Sequence, residues 1–180
     1  MSTRFISPTA IENLAARMRD EAGLLGESSS RVDIRRMAVF FGCEVQDVEF
    51  SPDTVSARVK RHDDSARFQY LIQINASDAK PRRRFSIAHE LAHVALHDDQ
   101  RGGTFDFVED RKPLADYRDP NDLYKEVQAN MLAAALLMPR KDVERVWEDV
   151  DDIDDLANAF AVSRDSAYFR LNNLGLLVNG

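Results

Sequence analysis

The first forty residues carry two patterns of apolar side chains that repeat with helical spacing. One pattern ends before Gly23 and the other at the Phe41-Gly42 pair. The apolar positions are Ile11, Leu14, Ala15, Met18 and Ala22 in the first, and Val32, Ile34, Met37, Ala38 and Phe41 in the second. Spacings of three and four residues place side chains on one face of a helix, so the chain is predicted to begin with two amphipathic helices.

From Cys43 onward the apolar residues alternate as they do in strands. Val45, Val48 and Phe50 form one run, and Val55, Ala57 and Val59 form the next, after a turn at residues 51–54. A third apolar run covers residues 68–74. These patterns predict three strands in a small antiparallel sheet and, with the helices around them, an α+β fold.

Two longer helical patterns follow the strands. The first runs from about residue 81 to residue 97, and the second contains apolar residues at core spacing from Tyr124 to Leu136 and stops at Pro139. The segment between them, residues 98–119, is charged and contains Gly102-Gly103 and Pro113. It is predicted to be a long loop beside the first of these helices.

The last thirty residues have the pattern of two short helices. Ser163 is a good N-cap and Gly175 a good C-cap for the second helix of the pair. The pair has the order of a helix-turn-helix, yet residues 151–180 contain five aspartates against Arg164 and Arg170. DNA-reading helices normally lie beside positive phosphate contacts, so direct DNA binding is not expected. The predicted division is a domain at 1–150 and an appendage at 151–180 packed on it.

Composition excludes several classes of protein. The net charge is −7, which argues against general affinity for nucleic acid, and no apolar run approaches the roughly 20 residues of a membrane span. The N-terminus lacks the apolar core of a secretory signal, and the single Cys43 cannot form an internal disulfide, so a cytoplasmic location is expected. Cys43 is interpreted as a small buried residue rather than a nucleophile.

The chemistry is concentrated in the motif His89-Glu90-Leu91-Ala92-His93. Two histidines four residues apart on a helix face the same way and can bind one Zn²⁺, and Glu90 is then placed to act as general base toward a metal-activated water. Zinc catalysis also needs a third protein ligand. Glu126, on the following helix, is the best-placed candidate, although an exposed helix glutamate is an equally good interpretation of its position.

The sequence around these residues resembles the ImmA/IrrE metallopeptidase family. The resemblance rests on residues 84–97, which begin Arg-Phe-Ser-Ile-Ala before the motif, on Glu126-Val127-Gln128-Ala129-Asn130, and on the Leu-Met-Pro at residues 137–139. It implies a zincin-like core in which His89, His93 and Glu126 bind zinc and Glu90 is the catalytic base. Asn130 would support the site, His97 would be a supporting polar group rather than a ligand, and Mn²⁺ could occupy the same ligands.

The resemblance also implies a function. Members of the family typically cleave a helix-turn-helix repressor and so release genes of prophages, mobile elements or stress responses. The expected partner is therefore a protein substrate of that kind, with no membrane and no direct nucleic-acid binding. The alternative is a non-hydrolytic regulator or toxin-like partner that binds a repressor and uses zinc as a structural brace. The group that stabilises the oxyanion stays open among Tyr117, Tyr124 and an arginine of the 101–118 segment.

Overall fold

The computed structural model describes residues 6–24, 31–51, 55–62, 66–98, 106–110 and 116–177. The helices of these residues are α1 (Pro8–Glu21), α2 (Ile34–Phe40), α3 (Lys80–His97), α4 (Pro120–Leu137), α5 (Arg140–Val150), α6 (Ile153–Phe160) and α7 (Arg164–Leu174). The strands are β1 (Cys43–Val48), β2 (Val55–Arg61), β3 (Tyr70–Asn75) and β4 (Asp106–Asp110). The α+β class predicted from the sequence is confirmed.

The four strands form one mixed sheet in the order β1-β3-β2-β4. β3 pairs in parallel with β1, whereas β2 pairs antiparallel with both β3 and β4. The prediction of an antiparallel sheet is therefore wrong for β1. Alternation along a strand shows which face is buried, but it carries no information about the direction of the neighbouring strand.

The segment predicted to be a loop at 98–119 contains a strand. Residues 106–110 form β4, which lies at the edge of the sheet next to β2. A short edge strand pairs on one side only, and half of its side chains face solvent, so a charged composition does not exclude it. The prediction of a long loop is wrong for these five residues, which form a strand.

The core lies between the sheet and the long helices α3 and α4. The fully buried side chains include Ile72 and Ile74 of β3, Leu91 of α3 and Leu132 and Leu136 of α4. α3 packs on both β2 and β3 on one side and on α4 on the other. The helix that carries the histidine motif is therefore the central layer of the molecule.

The C-terminal helices are attached to the rest of the chain through a buried arginine. Arg170 of α7 donates from Nε to the carbonyl oxygen of Met138 at 2.9 Å, and its Nη1 and Nη2 atoms donate to the Glu12 carboxylate at 2.5 and 3.0 Å. These bonds join α7 to the end of α4 and to α1. No helix in the described ranges has the length and hydropathy that a membrane crossing requires.

Candidate metal centre

The two histidines of the motif lie in the buried middle of α3. The helix starts with a proline in its first turn, where the missing N–H costs nothing, and residues 86–93 are all buried. His89 is 2% exposed and His93 is 1% exposed. Their Nε2 atoms are 3.0 Å apart, because residues separated by four positions lie on the same helix face.

α4 brings Glu126 to the same point. Asp119 caps this helix by accepting a hydrogen bond from the backbone N–H of Asn121 at 2.7 Å, and Pro120 follows in the first turn. Glu126 Oε2 lies 3.2 Å from His89 Nε2, and its Oε1 lies 3.4 Å from His93 Nε2. Fully buried alanines in both helices allow a close approach of the two axes: Ala88 and Ala92 in α3, and Ala129 and Ala133 in α4.

The three side chains have the spacing of a zinc site. Ligand atoms at 2.0–2.1 Å from a tetrahedral Zn²⁺ lie about 3.3 Å from one another. The observed separations of 3.0, 3.2 and 3.4 Å agree with that value. Among the residues that the structure describes, His89, His93 and Glu126 form the one group of three or more potential ligands that could hold a metal ion.

The protonation pattern of the cluster also favours a cation. Asn130 Oδ1 lies 3.0 Å from His89 Nδ1, so Nδ1 carries the hydrogen and Nε2 presents a lone pair. That lone pair faces His93 Nε2 and a Glu126 oxygen, and electron pairs so close repel one another unless a positive centre lies between them. The donor set therefore fits Zn²⁺, which accepts imidazole nitrogens and one carboxylate oxygen.

Burial keeps the ligands in the forms that bind a metal. It lowers the pKa of His93 to about 4, an effect that the hydrogen bond with Glu126 only partly opposes, so this imidazole is neutral at pH 7. For Glu126, burial raises the pKa, but the nearby imidazoles of His89 and His93 outweigh burial and hold the pKa well below its usual range. A neutral imidazole and an ionised carboxylate are the ligating states of these side chains.

Glu90 lies next to His89 in the buried turn of α3 and is itself 0% exposed. A carboxylate taken out of water is costly unless its surroundings compensate for the lost hydration. A cation held by the two neighbouring histidines would provide such compensation. The structure therefore puts the predicted general base in the same low-dielectric region as the ligand cluster.

The end of α3 is held by the polar contacts of two residues, His97 and Asp98. His97 Nε2 donates to the backbone carbonyl of Lys125 at 3.2 Å, beside Glu126, and His97 is not part of the ligand group. Asp98, which follows the helix, accepts from Arg61 Nη2 at 2.6 Å and from the Tyr70 hydroxyl. Burial raises the pKa of that hydroxyl to about 12, and its bond to Asp98 adds to the effect. The motif helix is thereby tied to α4 and to strands β2 and β3.

Phe107 is a residue of the site that the sequence analysis missed. This β4 side chain stacks on His93 with ring centroids 4.4 Å apart and an interplanar angle of 19°. Among the described residues His93 Nδ1 has no hydrogen-bond partner, so on that side of the ring stacking takes the place of an orienting hydrogen bond. The available signal was the alternation of Phe105 and Phe107 in Thr104-Phe105-Asp106-Phe107-Val108, a strand pattern inside a charged segment.

The candidates for oxyanion stabilisation are only partly located. The Tyr124 hydroxyl accepts a hydrogen bond from the backbone N–H of Ile6 at 2.9 Å. This bond joins the segment before α1 to α4, two residues before Glu126. Arg101 and Arg111 lie outside the described residues. The choice among Tyr117, Tyr124 and an arginine stays a prediction.

Comparison with a solved structure agrees with this fold. The chain superposes on a Mycobacterium tuberculosis transcriptional regulator with a TM-score of 0.64 at 22% sequence identity, over 90% of this chain and 46% of that one. The chain thus spans about half the length of that protein. No curated protein sequence shows significant similarity to the present chain.

Comparison with protein families gives a more specific result. The family model described as the IrrE N-terminal-like domain, Peptidase_M78, matches residues 42–172, which include all four strands and the helices α3 to α6. The match covers more than half of the chain, and the ligand cluster lies inside it. The chain therefore belongs to the family of IrrE N-terminal-like metallopeptidase domains.

Proposed function

We propose that this protein is a zinc-dependent endopeptidase in which His89, His93 and Glu126 bind the metal and Glu90 is the catalytic base. The observation that carries the proposal is the convergence of two imidazole nitrogens and one carboxylate at 3.0–3.4 Å, beside a fully buried glutamate. Three protein ligands leave one tetrahedral position for water or substrate, as in catalytic zinc sites. The core would then be zincin-like.

The residues of the chain divide the work of peptide hydrolysis. Bound zinc would supply Lewis acidity toward the scissile carbonyl and a more acidic water. Glu90 takes a proton from the attacking water and returns it to the leaving amine. Asn130 fixes the tautomer of His89, and Phe107 fixes the ring of His93, so the ligand atoms stay oriented during the reaction. Mn²⁺ is the alternative metal proposed for the same donors, although such sites generally bind it more weakly than zinc.

The edge of the sheet supports a polypeptide as the substrate. In the described part of the chain β4 pairs with β2 alone, so its outer edge faces no other strand. An extended peptide can add to such an edge through backbone hydrogen bonds. Because Phe107 of this strand contacts His93, a peptide bound along β4 would pass the ligand cluster.

Charge supports a basic protein partner, which is the chemistry of a DNA-binding repressor. The chain has a net charge of −7, and residues 148–155 contain six carboxylates without a lysine or arginine. Opposite charge accelerates encounter and favours the right partner. A cognate helix-turn-helix repressor is the proposed substrate, and its cleavage would relieve repression of prophage, mobile-element or stress genes.

The same charges argue against α6 and α7 as a DNA-reading pair. Residues 151–180 contain two basic side chains, Arg164 and Arg170. Arg170 is 2% exposed and bonded to Glu12, and Arg164 pairs with Asp154 at 3.1 Å. Arg170 is therefore unavailable for the phosphate contacts on which DNA affinity depends, and Arg164 lies beside a carboxylate that repels phosphate.

The test is cleavage of a candidate helix-turn-helix repressor from the same organism. Zinc-loaded wild type is expected to cut it at one bond, identified by intact-mass spectrometry, and addition of a chelator should stop the reaction. If the protein does not cleave the repressor with either zinc or manganese, the proposal is wrong. Metal content measured by elemental analysis should be about one per chain in the wild type and should fall in Glu126→Ala and in the His89→Ala/His93→Ala double variant.

A Glu90→Gln variant separates the peptidase from the structural-brace alternative. Glu90→Gln should keep its metal and lose cleavage, whereas Glu49→Gln, at an exposed position after β1, should keep both. Unchanged relief of repression by Glu90→Gln in cells would favour a binding protein in which the metal is structural. Such a site would be closed by a fourth protein ligand.

A further inference from the structure

Three helices enclose a groove that the proposed mechanism does not use. α3, α4 and α7 line a hollow of about 420 Å³, here called the α7 groove. Its lining includes Phe85 of α3, Val127, Asn130, Met131 and Ala134 of α4, and Phe169 of α7. The four α4 residues are spaced by three and four positions, so they form one stripe of that helix.

Only the imidazole ring of His89 separates the α7 groove from the ligand atoms of the cluster. Two of its lining residues also contact His89: Asn130 bonds to Nδ1 at 3.0 Å, and the Phe85 ring stacks on the imidazole with centroids 6.3 Å apart. The metal-facing atom, Nε2, is on the other side of the same ring. An extended chain advances about 3.3–3.6 Å per residue, so a residue within a few positions of the scissile bond can reach the groove.

The chemistry of the groove suits a large apolar side chain. Its floor is formed by Phe85, Val127, Met131 and Ala134, and Met131 can adapt its shape to different occupants. Asn130 adds an amide at the end of the groove nearest the ligand cluster. Phe169 forms part of the wall and is 62% exposed, so its ring is accessible to an incoming side chain.

We propose that the α7 groove binds a large apolar side chain of the protein substrate, such as leucine, methionine or phenylalanine, close to the bond that is cut. The inference rests on the proposed peptidase function, since the occupant is a segment of the substrate. It gives α7 a role in selecting the cleavage site.

A binding experiment tests the groove without relying on catalysis. Methionine methyl groups give separate NMR signals, and Met131 lines the groove whereas Met37 and Met138 are fully buried elsewhere. Met18 lines a second, smaller hollow with Leu14, Phe41 and Ala95, and so reports non-specific apolar binding. N-acetyl-leucine amide and N-acetyl-phenylalanine amide, added to the zinc-loaded protein, are expected to shift the Met131 signal saturably. N-acetyl-glycine amide should not.

Matched variants complete the binding test. Ala134→Phe fills the groove and should abolish the Met131 shift, whereas Ala95→Phe, in the second hollow, should leave it unchanged. Phe169→Ala removes an exposed wall with little risk to folding and should weaken binding several-fold. Unshifted signals of Met37 and Met138 show that each variant is folded. No Met131 shift in the wild type, or an equal shift with the glycine probe, overturns the proposal.

A second measurement uses the repressor, once its cleavage site is located. Replacing the large apolar residue nearest that site by alanine should lower kcat/KM by about 10-fold to 100-fold. In the Ala134→Phe enzyme the same replacement should have little further effect. If the alanine replacement does not lower kcat/KM, the proposal for the groove is wrong but the peptidase proposal stands. A saturable Met131 shift without any cleavage would retain the groove as a binding site and reject the peptidase.

Discussion

Asn130 Oδ1 accepts a hydrogen bond from Nδ1 of His89 at 3.0 Å, and this contact crosses from α4 to α3. It decides which nitrogen of the imidazole is left to face Glu126. Because Glu126 and Asn130 are four residues apart on the same helix, one helix face provides both a candidate ligand and the group that orients another. α4 thus determines the geometry of a site whose histidines belong to a different element.

The Asn130 contact leads to a prediction about metal affinity. Asn130→Ala leaves the His89 tautomer unspecified and should weaken zinc binding about 10-fold to 100-fold. Asn130→Asp supplies a stronger acceptor at the same place and should restore or exceed the wild-type affinity. Competition with a chromophoric chelator measures both. Equal affinities for the wild type and the alanine variant would show that Asn130 does not orient His89.

Phe107 should contribute to the same affinity by packing rather than by hydrogen bonding. Phe107→Ala removes the ring that stacks on His93 and should reduce zinc affinity together with a loss of about 2 kcal/mol in the free energy of unfolding, less than for a fully buried ring because Phe107 is half-buried. Urea unfolding with and without zinc separates the two effects. Phe40→Ala, at a 55% exposed ring in α2, is the control and should leave zinc affinity unchanged.

Arg170 and Arg164 provide a matched pair for the attachment of α7. Arg170→Ala leaves the Glu12 carboxylate and the Met138 carbonyl without their donor and should cost about 3 kcal/mol in the free energy of unfolding. Arg164→Ala breaks an ion pair with Asp154 in which both side chains are more than half exposed, so its effect should stay within about 0.5 kcal/mol. Chemical denaturation of both variants checks this. A similar loss of unfolding free energy in the two variants would mean that the buried contacts of Arg170 do not hold α7 in place.

Cys43 should be unreactive in the folded protein. It is 0% exposed, and burial raises the pKa of its thiol to about 12. An aromatic disulfide reagent at pH 8 should therefore label no thiol in the native state and one per chain in guanidinium chloride. The raised pKa also means that this group contributes its full stability below about pH 8.5, the unfolded value, and loses it as the pH rises toward 12. Rapid native labelling would contradict the burial and reopen the interpretation of Cys43 as a nucleophile.

The local periodicities of the sequence were sufficient for most of the helices. The pattern predicted a helix from about residue 81, and α3 starts at Lys80 and ends at His97. Pro139 was predicted to stop the next helix, and α4 ends at Leu137. Such features depend on nearby residues, caps and prolines, which are visible along the chain.

The predictions that were wrong concern features that depend on pairing between distant segments of the chain. The parallel register of β1 with β3 and the existence of β4 follow from which strand each segment meets, and strand periodicity does not encode the partner. Phe107 was missed for the same reason, because its contact with His93 joins two segments through the folded sheet.

The sequence by itself predicted the type of chemistry: two histidines one helical turn apart with a glutamate between them form a local pattern that indicates a metal site, and the family resemblance adds the E-x-x-A-N helix downstream. Only the tertiary structure decided between an exposed Glu126 and one that lies 3.2 Å and 3.4 Å from the two imidazoles. It also placed Phe107 on His93 and Arg170 in the interior. The physical reason is that spacing along a helix defines a face, whereas the packing of α3, α4 and the sheet decides what that face meets.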